Sequence, residues 1–157
     1  MGDVLLEVDA IKPSGERKTF QRSELNLGYR QSIFQHNDYI VVAARLGLKT
    51  GAEQDITAKM EEYSKSRREK QPLEYPSAGS VFRRPRGHFV GPMIEELGLK
   101  GHSIGGAQVS AKHAGFIINT GGATAEDVLQ LIAVIQEKVA DRYGINLHTE
   151  IRIVGEP

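Results

Sequence analysis

The sequence predicts an α+β fold, and three observations carry the prediction. Strand-like alternation opens the chain. One long amphipathic helix, with both ends signalled, lies toward its far end. Between them, strand and helix patterns do not follow the strict βαβ alternation of a parallel sheet.

In order, "VLLEVDAIKPSGERKTF" reads as strand, turn, strand: Val4, Leu6 and Val8 alternate with Leu5, Glu7 and Asp9, and Pro13 and Gly15 mark the turn. "RSELNLGYRQSIFQ" is short and irregular, with Ser23 placed to cap one helical turn. "YIVVAARLGL" is rich in β-branched residues and bounded by polar ones, so a buried strand is expected. Thr50 and Glu53 stand at capping-box spacing, and Ile56, Met60 and Tyr63 recur behind them at helical intervals. The charged, proline-terminated run "SKSRREKQPLEYP" is expected to end that helix and act as a linker.

"MIEELGLKG" is a short helix with Gly98 as the left-handed residue past its end. "GFIINTGG" is a short buried strand entering a turn. In "TAEDVLQLIAVIQEKVADRYG", Thr124 caps and Asp127 follows three residues on. Val128, Leu131, Ile132, Ile135 and Val139 form one apolar stripe, and Gly144 stops the helix. "NLHTEIRIVGE" closes as an alternating strand. There is no internal repeat or low-complexity tract.

Composition limits the function classes. The 157 residues suit one domain, or a small domain plus part of another, and 39% hydrophobic with 25% charged residues is a globular balance. Twenty basic residues against twenty acidic ones argue against a general nucleic-acid or membrane-surface role, which needs a basic excess. With no tryptophan, five tyrosines and five phenylalanines, stacking platforms for a nucleic acid are few. The absence of cysteine removes disulfides, thiolate metal sites and a thiol nucleophile, and fits a reducing cytoplasm. "MGDVLLEVDA" lacks the basic and apolar regions of a signal peptide.

Candidate chemistry gathers at a few residues. Ser80, in "YPSAGSVFRRP", is either a tight-loop serine or a hydroxyl that donates a proton to a strongly basic carbanion or enol. No GxSxG elbow supports acyl-enzyme chemistry. Glu150, in "HTEIRIVG", is either part of a solvated strand face shared with Arg152 or a carboxyl group aimed into a cleft. Arg30, in "GYRQSIF", is either a surface arginine or a planar fork for a carboxylate or phosphate. The glycine pairs of "IGGAQVSAKHAGFIINTGG" lack dinucleotide-binding spacing, His113 reads as a structural histidine, and scattered histidines give no metal site. The basic clusters "SKSRREK" and "RRPRGH" are solvated surface or, beside Ser80, a phosphate site. Spacing alone names no reaction.

Those residues also carry a resemblance. "LGYRQSIF", "YPSAGSVFRRP", "IEELGLKG", "IGGAQVSAKHAGFIIN", "ATAEDVLQLI" and "EIRIVGE" occur collinearly, and together the chain resembles the C-terminal part of the UDP-N-acetylenolpyruvoylglucosamine reductase family, flavoenzymes of bacterial peptidoglycan precursor synthesis. The resemblance implies the end of a FAD-binding subdomain of the PCMH (vanillyl-alcohol-oxidase-like) type, residues 1–71, then a substrate-binding domain, 72–146, and a closing strand, 147–157, carrying Glu150. It implies reduction of UDP-N-acetylglucosamine enolpyruvate to UDP-N-acetylmuramate, with NADPH as reductant and FAD as cofactor. The implied setting is a cytoplasmic enzyme, monomeric when intact, that serves cell-wall biogenesis, cell shape and division.

By the same resemblance Ser80 is the proton donor, and Arg30 and Glu150 stabilise an enolate-like species. Glu150 would have to act protonated, with its pKa raised, or through a water, because an ionised carboxylate would repel an enolate. Arg84 and His113 would contact substrate, and Tyr29 and Ser32 would lie near the flavin. The path from "YIVVAARL" into the Thr50 helix leaves no room for the tyrosine-bearing loop found in one branch of the family. No stretch matches the family's glycine-rich FAD pyrophosphate loop. The chain is therefore expected to be a fragment, inactive alone, with unpaired sheet edges that invite self-association. The competing expectation is a non-catalytic UDP-sugar-binding module.

Overall fold

The computed structural model describes residues 1–155. Backbone contacts divide the chain into two compact units, Met1–Ile56 and the part from Thr57 onward.

The first unit is an antiparallel sheet of β1 (Leu5–Ile11), β2 (Arg17–Gln21) and β3 (Ile40–Leu46), in the order β2-β1-β3. The strand–turn–strand opening forms as expected. Lys12 N–H donates to the Glu16 carbonyl (2.9 Å), Gly15 N–H donates to that of Lys12 (2.9 Å), and Gly15 takes φ 88°, where a side chain would be strained. Val8 faces Phe20 across the pair. These two residues, Ala10 and Leu25 form a small buried core, with the Phe34 and Tyr39 rings edge-on to Phe20 at 5.4 and 5.1 Å.

Two expectations for this unit are corrected. A 3₁₀ turn does form at Arg22–Glu24, but its cap is Gln21, whose N–H donates to the Glu24 carboxylate (2.7 Å), so Ser23 lies inside the turn. β3 is a strand but not a buried one, since all seven of its residues are exposed. It is an edge strand bonded to β1 alone, and the small core gathers around Val8, Ala10 and Phe20 instead.

α1 spans Glu53–Lys70, and Ile56 N–H bonds the Ala52 carbonyl (3.1 Å). The helix thus starts two residues past the position Thr50 would require as a cap. It also takes in "SKSRREK", so only the residues after Lys70 remain as connector. The apolar spacing of Ile56, Met60 and Tyr63 buries nothing: the three are 49, 64 and 67% exposed.

The second unit has an antiparallel sheet in the order β4-β7-β6-β5, from β4 (Ser77–Ser80), β5 (Ser103–Ile104), β6 (Ala107–Val109) and β7 (Phe116–Asn119). It is packed by α2 (Val90–Glu96) and α3 (Ala125–Tyr143). α3 matches its sequence signals. Asp127 N–H donates to Thr124 Oγ1 (3.1 Å), Thr124 N–H donates to Asp127 Oδ2 (2.9 Å), and Gly144 ends the helix at φ 66°. Leu131, Ile132, Ile135 and Val139 are buried against Val109, Ile117, Ile94 and Leu147 in the main core. Gly98 is left-handed (φ 68°) just past α2, as its position suggested.

The closing alternating strand is the remaining correction. After Gly144 the chain is pinned by Gln136 Nε2 donating to the Leu147 carbonyl (2.9 Å). It then pairs only briefly: Arg83 N–H to the His148 carbonyl (2.8 Å), a bridge between Phe82 and Thr149, and Glu150 N–H to the Val81 carbonyl (2.7 Å). Beyond that the ladder stops. β4 carries a register shift between Ser77 and Ser80, with Gly79 at φ 89°, and this breaks the edge that residues 151–154 would need. Ile153 and Val154 are left 65 and 91% exposed. The last two residues of the expected 147–157 strand lie outside the described residues.

Candidate active-site cleft

Ser80 ends β4 rather than sitting within a loop. Val81 N–H bonds the Gly115 carbonyl (3.0 Å), which ties the residue after Ser80 to the turn before β7. Ser80 itself is half-buried, and its Oγ is 3.5 Å from the Phe82 carbonyl, a long contact that commits the hydroxyl weakly. Beside it opens a cleft of about 750 Å³ lined by Arg67, Gln71, Tyr75, Gly79, Ser80 and His113, among others.

His113 is placed by the turn between β6 and β7. Ser110, the one buried polar residue of the core at 1% exposure, accepts the N–H groups of Lys112 (3.1 Å) and His113 (3.2 Å) with its hydroxyl. Gly115 N–H donates to His113 Nδ1 (3.1 Å), so the neutral ring carries its proton on Nε2. The Phe116 ring meets the imidazole edge-on at 4.9 Å. A Cβ at Gly115 would stand 3.0 Å from His113 Cε1 and 3.9 Å from Ser80 Oγ, so the missing side chain leaves space between the two. Lys112 pairs with Glu74 (3.3 Å). The Glu74 carboxyl lies below its ordinary range, mainly through a bond from its own backbone N–H and further through Lys112.

Glu150 enters through its backbone. Its N–H is bonded to Val81, next to Ser80 in sequence, so the late glutamate and the serine are brought to neighbouring positions across 70 residues of chain. Arg84 is placed differently. It does not line the Ser80 cleft; its guanidinium stacks on Phe89 (3.7 Å) and its Nε donates to the His88 carbonyl (3.1 Å).

The remaining candidates belong to the first unit. Gly28 and Gln31 bridge across a tight turn whose central residues are Tyr29 and Arg30. Arg30 has φ 57°, a left-handed conformation that turns of this kind normally give to glycine or asparagine. Its guanidinium lies 5.3 Å from the Tyr29 ring, and its carbonyl accepts from Gln35 Nε2 (2.8 Å). Ser32 opens a 3₁₀ turn, Ile33–Gln35, with its N–H on Gln35 Oε1 (3.1 Å).

Among the described residues no cluster of three or more potential metal ligands occurs, and no helix is long and apolar enough to cross a membrane. Sequence reasoning missed Arg67, Tyr75, Ser110 and Gly115. A serine three residues before His113 was the one available signal, as a side-chain-to-backbone turn.

A small α+β unit whose polar cleft gathers a weakly held hydroxyl and an oriented imidazole is the frame of a binding or catalytic domain for a polar small molecule. Comparison with known proteins makes this specific. A family profile described as "UDP-N-acetylenolpyruvoylglucosamine reductase, C-terminal domain" matches residues 71–154, and the chain belongs to that family. UDP-N-acetylenolpyruvoylglucosamine reductase of Syntrophomonas wolfei is 59% identical over 156 residues, covering 99% of this chain and 52% of the relative. That of Lactobacillus acidophilus is 52% identical with the same coverage. The crystal structure of UDP-N-acetylenolpyruvylglucosamine reductase from Thermus caldophilus superposes with a TM-score of 0.78 at 33% identity, covering 96% of this chain and 53% of that one. The chain thus spans about half the length of the relatives it matches.

Proposed function

We propose that this chain is the substrate-side part of a FAD-dependent UDP-N-acetylmuramate dehydrogenase, which reduces UDP-N-acetylglucosamine enolpyruvate in the making of peptidoglycan precursors. The observation that carries the proposal is the cleft itself. Ser80 and His113 line it together, and Glu150 is tied to the residue beside Ser80. Family membership supplies the reaction class.

FAD, reduced by NADPH, supplies the two-electron chemistry when bound. Tyr29, 69% exposed with the Arg30 guanidinium 5.3 Å from its ring, and Ser32 would hold it; an exposed aromatic face suits a planar ring system. The chain's own residues do the rest. Ser80 delivers its hydroxyl proton to the substrate carbon that has become enolate-like. Arg30 offers a permanent charge and a bidentate fork to the developing carboxylate charge. Glu150, protonated or acting through a bound water, would stabilise the same enolate-like species. His113, with Nδ1 taken by the Gly115 N–H and Nε2 left to donate, would contact substrate in the cleft, and Arg84, outside the cleft lining, would contact a part of the substrate that extends beyond it. Residues 1–71 would complete the flavin side, 72–146 would bind substrate, and 147–155 would return Glu150 to the reacting centre.

The test is purification of the chain, incubation with FAD, removal of free cofactor and a visible spectrum, followed by NADPH oxidation with substrate. If flavin is retained and turnover occurs, Ser80→Ala should lower the rate by roughly 10²–10⁴-fold, as loss of a positioned acid does. A Ser80→Ala chain that turns over normally would overturn the assignment. If no flavin is retained, the chain is expected to bind the UDP-sugar by calorimetry without turnover. That second reading, a non-catalytic UDP-sugar-binding module, is favoured by one fact: the cleft is lined wholly by residues of the second unit.

A further inference from the structure

Two glycines border Ser80 and His113, and they are glycine for different reasons. Gly79, at φ 89°, has nothing within 4 Å of where a Cβ would stand, so its backbone conformation alone calls for glycine. Gly115 is the reverse. Its φ lies outside the left-handed region, so backbone strain does not explain it. Yet a Cβ there would meet His113 Cε1 at 3.0 Å and Nδ1 at 3.2 Å, inside the ~3.5–4.0 Å of an ordinary contact. The same Cβ would lie 3.9 Å from Ser80 Oγ. What the missing side chain provides is space, and that space lies between the imidazole and the hydroxyl.

We propose that Gly115 is a positioning residue of the cleft: it lets the His113 ring close onto the Gly115 N–H, and it keeps the approach to the Ser80 hydroxyl open for the reacting group of the ligand. The identity of that group, an enolpyruvyl ether, rests on the function proposed above. Both effects have one origin. The ring receives the Gly115 N–H at Nδ1 (3.1 Å) by passing close to where a Cβ would be, and that bond leaves the proton of the neutral ring on Nε2. Neither backbone is free to give way. The His113 N–H is held by Ser110 Oγ (3.2 Å), and the Gly115 carbonyl accepts from the Val81 N–H (3.0 Å), so an added methyl must be answered by the imidazole. On the other side of the space, Ser80 Oγ has only its 3.5 Å contact with the Phe82 carbonyl and can turn toward a ligand.

The test begins with Gly115→Ala in the full chain without ligand. Long-range proton–nitrogen spectra are recorded at about pH 8, where an ordinary imidazole is neutral. The His113 signals, assigned by their absence in His113→Gln, should report the Nε2–H form alone in wild type. Gly115→Ala should populate the Nδ1–H form and leave the rest of the five histidines unchanged. Calorimetry then compares UDP-N-acetylglucosamine enolpyruvate with UDP-N-acetylglucosamine, which lacks the reacting group. Gly115→Ala should weaken the first about tenfold or more and the second less than about twofold. A single His113 tautomer in Gly115→Ala, or equal losses for the two ligands, would overturn the proposal. Should Gly115→Ala fail to fold, adding His113→Ala, which removes the ring it would strike, should restore the circular-dichroism spectrum; a double variant that stays unfolded overturns the proposal too. A wild-type chain that binds neither ligand counts against the proposed function instead, and the tautomer comparison alone then decides the role of Gly115.

Discussion

Gly106→Ala isolates how closely the second unit is packed around its sheet. Gly106 is the second residue of the β5–β6 turn, and a Cβ there would stand 2.5 Å from the Gly121 carbonyl oxygen and 2.7 Å from Ala123 Cα, with the Ala123 amide nitrogen closer still. All three are backbone atoms, so no flexible side chain can swing aside. Ordinary contacts lie near ~3.5–4 Å, so the hairpin must retreat by about 1 Å from the start of α3. That retreat strains two bonds that hold the hairpin in place: Thr120 N–H to the Gly106 carbonyl (2.9 Å) and Gly106 N–H to Asp127 Oδ2 (3.3 Å). Overpacking costs about 1–3 kcal/mol, and these bonds place the expected loss in its upper half, about 2–3 kcal/mol. Urea denaturation followed by circular dichroism should show the midpoint of the second unit falling by about 1 M or more at an unchanged slope. Gly91→Ala provides the contrast. Gly91 lies within α2, and its added Cβ would meet only His113 Cε1 at 3.6 Å, so the substitution should stabilise by about 0.4–1 kcal/mol. An unchanged midpoint for Gly106→Ala, or a loss equal in the two variants, would refute the close-approach account.

Further outcomes follow from the same structure. Leu131→Ala empties a fully buried position in the main core and should cost about 2–5 kcal/mol by the same denaturation assay. Thr124→Ala removes the α3 cap and should cost about 1 kcal/mol. The Asp127 carboxyl is held below its ordinary range, first by the Thr124 backbone N–H and also by that of Gly106. A folded-state value below the unfolded one adds stability at pH above the ordinary aspartate range and loses it as pH falls through the depressed value. Melting temperature should therefore drop on acidification below about pH 4, and less steeply in Asp127→Asn. Arg30→Gly relieves a left-handed φ that costs a non-glycine residue about 1 kcal/mol, so the first unit should melt no lower than wild type by thermal denaturation.

How much of this was legible in the sequence varied with element length. α3 was readable end to end because cap, stripe and stop are all local, and four residues of its expected stripe are buried. β5, of two residues, and β6, of three, are too short to show a period; β6 is held by pairing with β7, and β5 by pairing with β6. β3 and α1 were recognisable as elements, yet β3, expected to be buried, is exposed, and the apolar spacing of α1 covers nothing. Periodicity states which face could be covered, and coverage is a tertiary fact. The closing segment failed for a related reason: Ile151 and Ile153 alternate correctly, but the shifted register of β4 gives them no ladder. At the candidate site, Ser80 and Glu150 were singled out by resemblance. Ser110, whose hydroxyl accepts from the backbone of Lys112 and His113, and Gly115, whose N–H sets the ring, act through bonds to the backbone, and only the serine's spacing marked any of them.

The short ladder joining His148 and Glu150 to Arg83 and Val81 also acts as a ruler. Five residues separate Gly144, where α3 is stopped, from Glu150, and the buried Leu147 is the middle one. Deleting one residue there would present Ile151, and inserting one would present Thr149, where Glu150 now stands, and would move the Glu150 side chain to the opposite face. Substitutions of the exposed Asn146 and His148 can be absorbed locally, whereas changes of length cannot. This loop is thus expected to keep its length even where its sequence drifts.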